Sequence, residues 1–181
     1  MTKSIDKLSF ETDVLVIGGG AAASMAALEC AASDVRCIQV TKGKATSGAT
    51  TVARGGFAAA MGYGDSPELH LKEVIEHGGE LIDPLLAEVW CHDIIEIVKD
   101  LERSGSKFVR NEKGDLDLKS FPGHSYPRGV HHYDTTGNMV SKTLSKNLKN
   151  EKKIIKHSLT SIVELIKDGE NVIGAWGVEY G

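Results

Sequence analysis

Three consecutive glycines, Gly18-Gly19-Gly20, join a run of aliphatic residues to a stretch of alanines, and this junction constrains the fold more than any other feature. Val14-Leu15-Val16-Ile17 is short and uniformly apolar, which predicts a strand of a parallel sheet covered on both faces. Ala21 to Ala32 predicts a helix whose small side chains let it lie close to that sheet, and Val35 to Val40 a second strand. Together they make a βαβ unit of about 30 residues. Within it, Gly18, Gly20 and Ala23 occupy the key places of the pattern G-x-G-x-x-G/A. The first glycine permits a tight turn, the next lets the backbone approach a pyrophosphate, and a small third residue lets helix and strand pack closely. Backbone N–H groups from Gly19 through Ala22, with the positive end of the helix, then suit phosphate charge.

The usual companion of this pattern is missing. A ribose-binding Asp or Glu belongs at the end of the second strand, roughly 20 residues on, and Thr41-Lys42-Gly43 stands there instead. A plain nicotinamide-cofactor domain is therefore a poor fit.

Composition excludes other classes. A net charge of −4 and 6% aromatic residues supply neither the basic stripe nor the stacking surface of a nucleic-acid binder. The absence of any apolar run of about 18 residues predicts no membrane span. The first twelve residues lack the hydrophobic segment of a secretory signal. Cys30, Cys37 and Cys91 have no C-x-x-C spacing and lie in apolar segments, which predicts buried thiols in a reducing compartment. These features predict a soluble, cytoplasmic chain whose 181 residues form one ordinary core.

Further along, the small, uncharged stretch from Ser47 to Ala60 predicts a loop and helix start. Ser66-Pro67 predicts an N-cap and first helical position for a helix to about His77, stopped by Gly78-Gly79. A longer helix from Pro84 to about Arg103 aligns Leu86, Val89, Trp90, Ile94, Ile97, Val98 and Leu101. Lys107 to Leu118 predicts a hairpin around Lys113-Gly114, and Ser120 to His132 an irregular segment. Asp134 is a candidate cap for a helix to Leu148, with Val140, Leu144 and Leu148 in register. Ile154 to Tyr180 predicts strands joined at Asp168-Gly169 and at Asn171.

Several spaced motifs now fall into a known order. They are the glycine turn, Thr41-Lys42, and Gly48-Ala49-Thr50-Thr51-Val52-Ala53-Arg54-Gly55-Gly56-Phe57-Ala58-Ala59. Asp65-Ser66-Pro67, His70, Asp83-Pro84, Gly123-His124-Ser125, Arg128, His132 and Asp134-Thr135-Thr136-Gly137 follow. From about Thr12 to Gly181 the chain resembles the succinate dehydrogenase/fumarate reductase flavoprotein family, which includes L-aspartate oxidase. The resemblance implies an α/β, Rossmann-like FAD-binding domain with a central parallel sheet over 13–181, after an extension at 1–12. It also implies that the domain is incomplete at its C-terminal end, because the turn A-T-G-G that closes it in the family is absent. FAD contacts fall, by resemblance, on Gly18, Gly19, Gly20, Ala21, Ala22, Thr41, Lys42, Gly43, Ala49, Thr50, Arg54, Gly55, Gly56 and Ile162.

Three departures sharpen this expectation. The respiratory enzymes attach FAD through a histidine where this chain has Ala49, which implies a non-covalent flavin. Arg54 replaces the usual glutamine, and a fixed positive charge beside the ring would raise the redox potential. L-Aspartate oxidases carry a glutamate before G-H-S to meet the substrate ammonium, whereas this chain has Phe121-Pro122. Phe121, His124 and Ser125 are the candidate substrate residues, and the implied substrate is a C4 dicarboxylate, fumarate or succinate. His131, His132, Tyr126 and Asp134 lie nearby without a standard metal-ligand interval.

The family's proton donor and substrate clamps lie in other segments, so no catalytic residue is assigned and this chain alone is expected to be inactive. L-Aspartate oxidase and a non-catalytic flavin- or nucleotide-binding module are the rival readings. An iron–sulfur or other electron-transfer subunit, and a peripheral place at the inner face of a membrane, complete what the resemblance implies.

Overall fold

A computed structural model describes residues 7–44 and 48–180. Residues 1–6 of the expected extension, Ser47 of the expected loop, and Gly181 lie outside them. The chain divides into two compact units, 1–45 with 147–181, and 46–146.

The first unit is the predicted α/β layer. Strands β1 (Val14–Ile17), β2 (Cys37–Thr41) and β5 (Ile154–Ser158) form a parallel sheet with β2 in the middle. Helix α1 (Ala21–Ala32) packs on it through Ala27 and Ala31. These join Val16, Cys37, Ile154 and Leu148 in one core, flanked by Val14, Ala23, Leu28 and Cys30. Alanine on α1 is what brings helix and sheet together, since each larger side chain would hold them apart. Cys37 is buried as expected, and burial, with the neighbouring Cys30, pushes its thiol up to about 11. Cys30 is only half-buried, because it lies beside the Ala27–Ala31 row rather than on it.

A hairpin follows, β6 (Thr160–Asp168) with β7 (Asn171–Glu179). One joint falls at Gly169-Glu170 as the glycine predicts. Asn171, however, pairs with Asp168 inside the ladder, and the other joint is at Leu159, whose φ is 55°. A leucine in the left-handed region carries no turn signature, so that joint was not legible.

In the second unit, α2 (Ala49–Val52) precedes β3 (Phe57–Ala58), which pairs antiparallel with β4 (Gly129–Val130). Two-residue strands have no periodicity to read, which is why the sequence shows only irregular chain there. Helix α3 (Pro67–Gly78) starts as predicted, with the Ser66 hydroxyl accepting from the Leu69 N–H at 3.2 Å. Helix α4 (Pro84–Arg103) is capped by Asp83, which accepts from Leu85 and Leu86 N–H. Its buried row is Ala87, Cys91, Ile94, Val98 and Leu101, whereas Leu86 and Val89 of the predicted face are largely exposed and Trp90 is partly exposed. Apolar residues girdle the first half of α4, so helical spacing alone does not fix which side turns inward.

The predicted 107–118 hairpin is a single bridge, Arg110 to Leu116, around a turn in which Asn111 Oδ1 accepts from Lys113 and Asp115 N–H. Helix α5 (Thr136–Asn150) buries Val140, Leu144 and Leu148 as the spacing requires. Its expected cap is displaced: the helix begins two residues after Asp134, whose carboxylate instead lies 3.6 Å from Lys119 Nζ. Among the described residues no helix is long and apolar enough to cross a membrane.

Candidate functional site

The glycine turn is tied to β2 on both sides. Gly18 N–H donates to Val40 O at 2.8 Å, and the side-chain amide of buried Gln39 donates to Gly18 O at 3.1 Å. Gly18 has φ 137°, open to glycine at little cost, and a Cβ there would meet the Ala23 methyl at 3.3 Å. A Cβ on Gly19 would come within 2.7 Å of Thr41 Oγ1. Thr41 thus closes over the turn from the end of β2, and its hydroxyl accepts from Gly43 N–H at 3.4 Å. Gly20 caps α1 without a side chain, and the first turn from Ala21 and Ala22 contains no acidic residue. A helix start so arranged suits an anion. Lys42 is exposed beside it. Ile162 lies in β6 opposite Gly177, ahead of an irregularity in the ladder.

In the other unit the segment from Thr50 to Gly56 is seated on the start of α5. Gly137 N–H donates to Ala53 O at 2.9 Å, and Thr136 Oγ1 donates to Arg54 O at 3.3 Å. A Cβ on Gly137 would fall 1.8 Å from Thr50 O, and one on Gly56 would fall 2.2 Å from Val130 O. Both glycines are therefore required by close backbone approach. Gly55 is different: a Cβ there meets nothing within 4 Å, and its φ is not positive. Neither packing nor backbone conformation accounts for glycine at 55. Ala49 and Arg54 are exposed.

Phe121, His124 and Ser125 come together on the irregular segment. The Phe121 and His124 ring centroids are 6.3 Å apart, and a Cβ on Gly129 would lie 2.7 Å from Phe121 Cζ. Beneath the segment lies a buried charge cluster. The Arg128 side chain, fully buried, donates from Nε and one terminal nitrogen to Asp65 at 2.7 Å each, and from the other to Glu73. Glu73 also accepts from the backbone N–H of Ser125, at 3.2 Å, and from its hydroxyl. Burial would raise the Glu73 carboxyl, but the bonds from Ser125 and Arg128 outweigh it and bring the group down to about 2. His70, sealed from solvent with neither ring nitrogen bonded, is pushed down to about 4 by burial and then by Arg128.

The remaining histidines disperse. His131 is buried beside β4 and His132 Nδ1 donates to Lys107 O. Among the described residues no group of three or more His, Cys, Asp or Glu is placed to hold a metal. Glu73 and Gln39 were not singled out in the sequence. Glu73 lies one helical turn from His70, which was a usable signal, whereas Gln39 sits within an apolar strand with no motif to mark it.

The FAD binding domain family matches residues 13–179. The chain belongs to that family. It is 35% identical over 179 residues to a subunit of the fumarate reductase (CoM/CoB) of Methanothermobacter marburgensis, covering 93% of this chain and 31% of that one. It is 36% identical over 133 residues to L-aspartate oxidase of Streptomyces coelicolor, covering 73% and 23% respectively. Among solved structures, the Mycobacterium smegmatis Sdh1 complex superposes with a TM-score of 0.86 at 33% identity, over 93% of this chain and 31% of that one. Escherichia coli quinol fumarate reductase FrdA gives a TM-score of 0.89 at 23% identity, a likeness of fold. The chain thus spans less than a third of these relatives. FAD is the cofactor of this FAD binding domain, and its relatives are flavoprotein oxidoreductases. The residues fit FAD, since the acid-free start of α1, where the N-cap residue Gly20 carries no side chain, suits its pyrophosphate.

Proposed function

We propose that this chain is the FAD-binding portion of a flavoprotein that interconverts fumarate and succinate, with the flavin held non-covalently. The carrying observation is the neutral Phe121 ring beside His124, which offers no carboxylate to an amino group. The charged groups below that turn are already committed, Glu73 to Arg128 and Ser125, and Asp65 to Arg128. An ammonium-bearing substrate would leave its charge unmatched there, at a cost of several kcal/mol in a dry site.

Bound FAD supplies two-electron hydride chemistry. In this reading Gly18 to Ala22 hold its pyrophosphate, Thr41, Lys42 and Gly43 border its adenosine half, and Ile162 lies against it. Ala49, Thr50, Arg54, Gly55 and Gly56 line the ring, with the Arg54 charge raising its potential. Ala49 has no nucleophilic nitrogen for a covalent bond. Phe121, His124 and Ser125 border the dicarboxylate, and the proton donor is supplied by another segment. An electron-transfer subunit completes the assembly, in the cytoplasm or at the inner face of a membrane.

L-Aspartate oxidase is the second reading, favoured by the 36% identity to the Streptomyces coelicolor enzyme. The test is a visible spectrum of the full-length protein, followed by fumarate reduction assayed against aspartate oxidation. Fumarate turnover supports the proposal, whereas aspartate turnover with fumarate inert overturns the substrate. Absence of a flavin band would sink both.

A further inference from the structure

His77 and His132 each donate Nδ1–H to a backbone carbonyl, Glu73 at 2.8 Å and Lys107 at 2.6 Å. A carbonyl only accepts, so both rings carry their proton on Nδ1. His124 has the opposite sense. Its Nδ1 lies 2.9 Å from a terminal nitrogen of Arg128, and a guanidinium only donates. Nδ1 must therefore accept, and the ring proton sits on Nε2.

The surroundings make this assignment rigid. The Arg128 side chain is 0% exposed and its other N–H groups are fixed on Asp65 and Glu73, so it has no freedom to swing away. Of the acidic groups that would favour a further proton on the ring, Glu73 lies 3.7 Å from Nδ1 and Asp65 acts more weakly. The Glu73 oxygens already accept from Arg128 and twice from Ser125, and the guanidinium is nearer. Arg128 wins. No bond from the described residues reaches His124 Nε2, and the side chain is 17% exposed. The nitrogens of neighbouring His70 are by contrast closed off from solvent. Burial and the Arg128 charge also disfavour a second proton on the ring.

We propose that Arg128 and Glu73 are positioning residues that fix His124 as the Nε2–H tautomer, presenting one N–H to a carboxylate of the substrate. This rests on the reading of the 121–125 segment as the dicarboxylate border. It separates the two polar residues there: the Ser125 proton is committed to Glu73, and His124 is the donor.

Side-chain NMR of the full-length, flavin-loaded protein carrying labelled histidine tests the tautomer without reference to activity. The expected result at pH 7 is a His124 ring with bare Nδ1 and protonated Nε2, mixed tautomers in Arg128→Lys, and FAD retained in both. A proton on Nδ1, or a doubly protonated ring, would overturn the proposal.

Kinetics test the donor. The amide of glutamine reaches where Nε2 lies and that of asparagine does not, so His124→Gln should keep KM for fumarate within a few fold. His124→Asn should raise it about 10- to 100-fold, the loss of one hydrogen bond to a charged group. A His124→Asn protein with unchanged KM overturns the donor role. The expected tautomer with no turnover of any C4 dicarboxylate overturns the substrate reading instead.

Discussion

Thr41 Oγ1 occupies the space that any side chain on Gly19 would need, 2.7 Å from where its Cβ would be. The middle glycine of the turn is free in the general pattern, but here the Thr41 side chain at the end of β2 crowds any larger residue. Gly19→Ala should therefore weaken FAD binding about 5- to 150-fold, the effect of roughly 1–3 kcal/mol of overpacking. Flavin fluorescence titration measures it. Adding Thr41→Ala removes the hydroxyl and should recover part of the loss, the Thr41 Cβ remaining at 3.2 Å.

On the proposed reading, Gly55 answers to the ligand and Gly137 to folding. Gly137→Ala drives a methyl into the backbone of Thr50 and Ala53 and should cost several kcal/mol in a denaturant melt. Gly55→Ala meets nothing within 4 Å among the described residues, so its melting midpoint without cofactor should be unchanged while FAD affinity falls about fivefold or more, as overpacking against the ligand requires. A Gly55→Ala protein that binds FAD normally would remove this residue from the site.

Acid should unfold the second unit in two windows. His70 is held near 4 in the folded chain against an ordinary 6.5, so protonation favours the unfolded state. Its stabilising contribution is complete above pH 6.5 and is lost as pH falls toward 4. Glu73, depressed from 4.5 to about 2, loses its contribution between those values. Trp90, whose ring centroid is 5.1 Å from that of His70, is a local fluorescence reporter. His70→Leu should abolish the upper window and raise stability by about 1 kcal/mol, because it removes two unsatisfied buried nitrogens.

Acid precipitation of the loaded protein should release its flavin into the supernatant, as Ala49 provides no nitrogen to bind it. Flavin absorbance that stays with the pellet would contradict this.

The glycine turn, α1 and the parallel sheet were legible because the chemistry is local: small residues, an aliphatic run and a turn all lie within about thirty positions. The same holds for the Ser66 cap and for the buried stripe of α5. What escaped is what depends on partners far away in sequence. Ala87 and Cys91, rather than Leu86 and Val89, face inward on α4, and no residue of that helix announces it. Asp134 has the right chemistry for a cap and the wrong backbone position. At the candidate site, Arg128 and His124 were visible as a group, but the carboxylate joining them, Glu73, lies 55 residues from Arg128.

On the proposed reading, in which the Gly18 turn holds the FAD pyrophosphate, the bond from the Gln39 side chain to Gly18 O couples flavin loading to the folding of the sheet through its middle strand. A cofactor gripped by that turn stabilises the sheet by mass action, in proportion to the logarithm of its free concentration. Newly made chains in a flavin-starved cell would then spend longer open to proteases, and the steady-state amount of the protein would track vitamin supply before any change in its activity was felt.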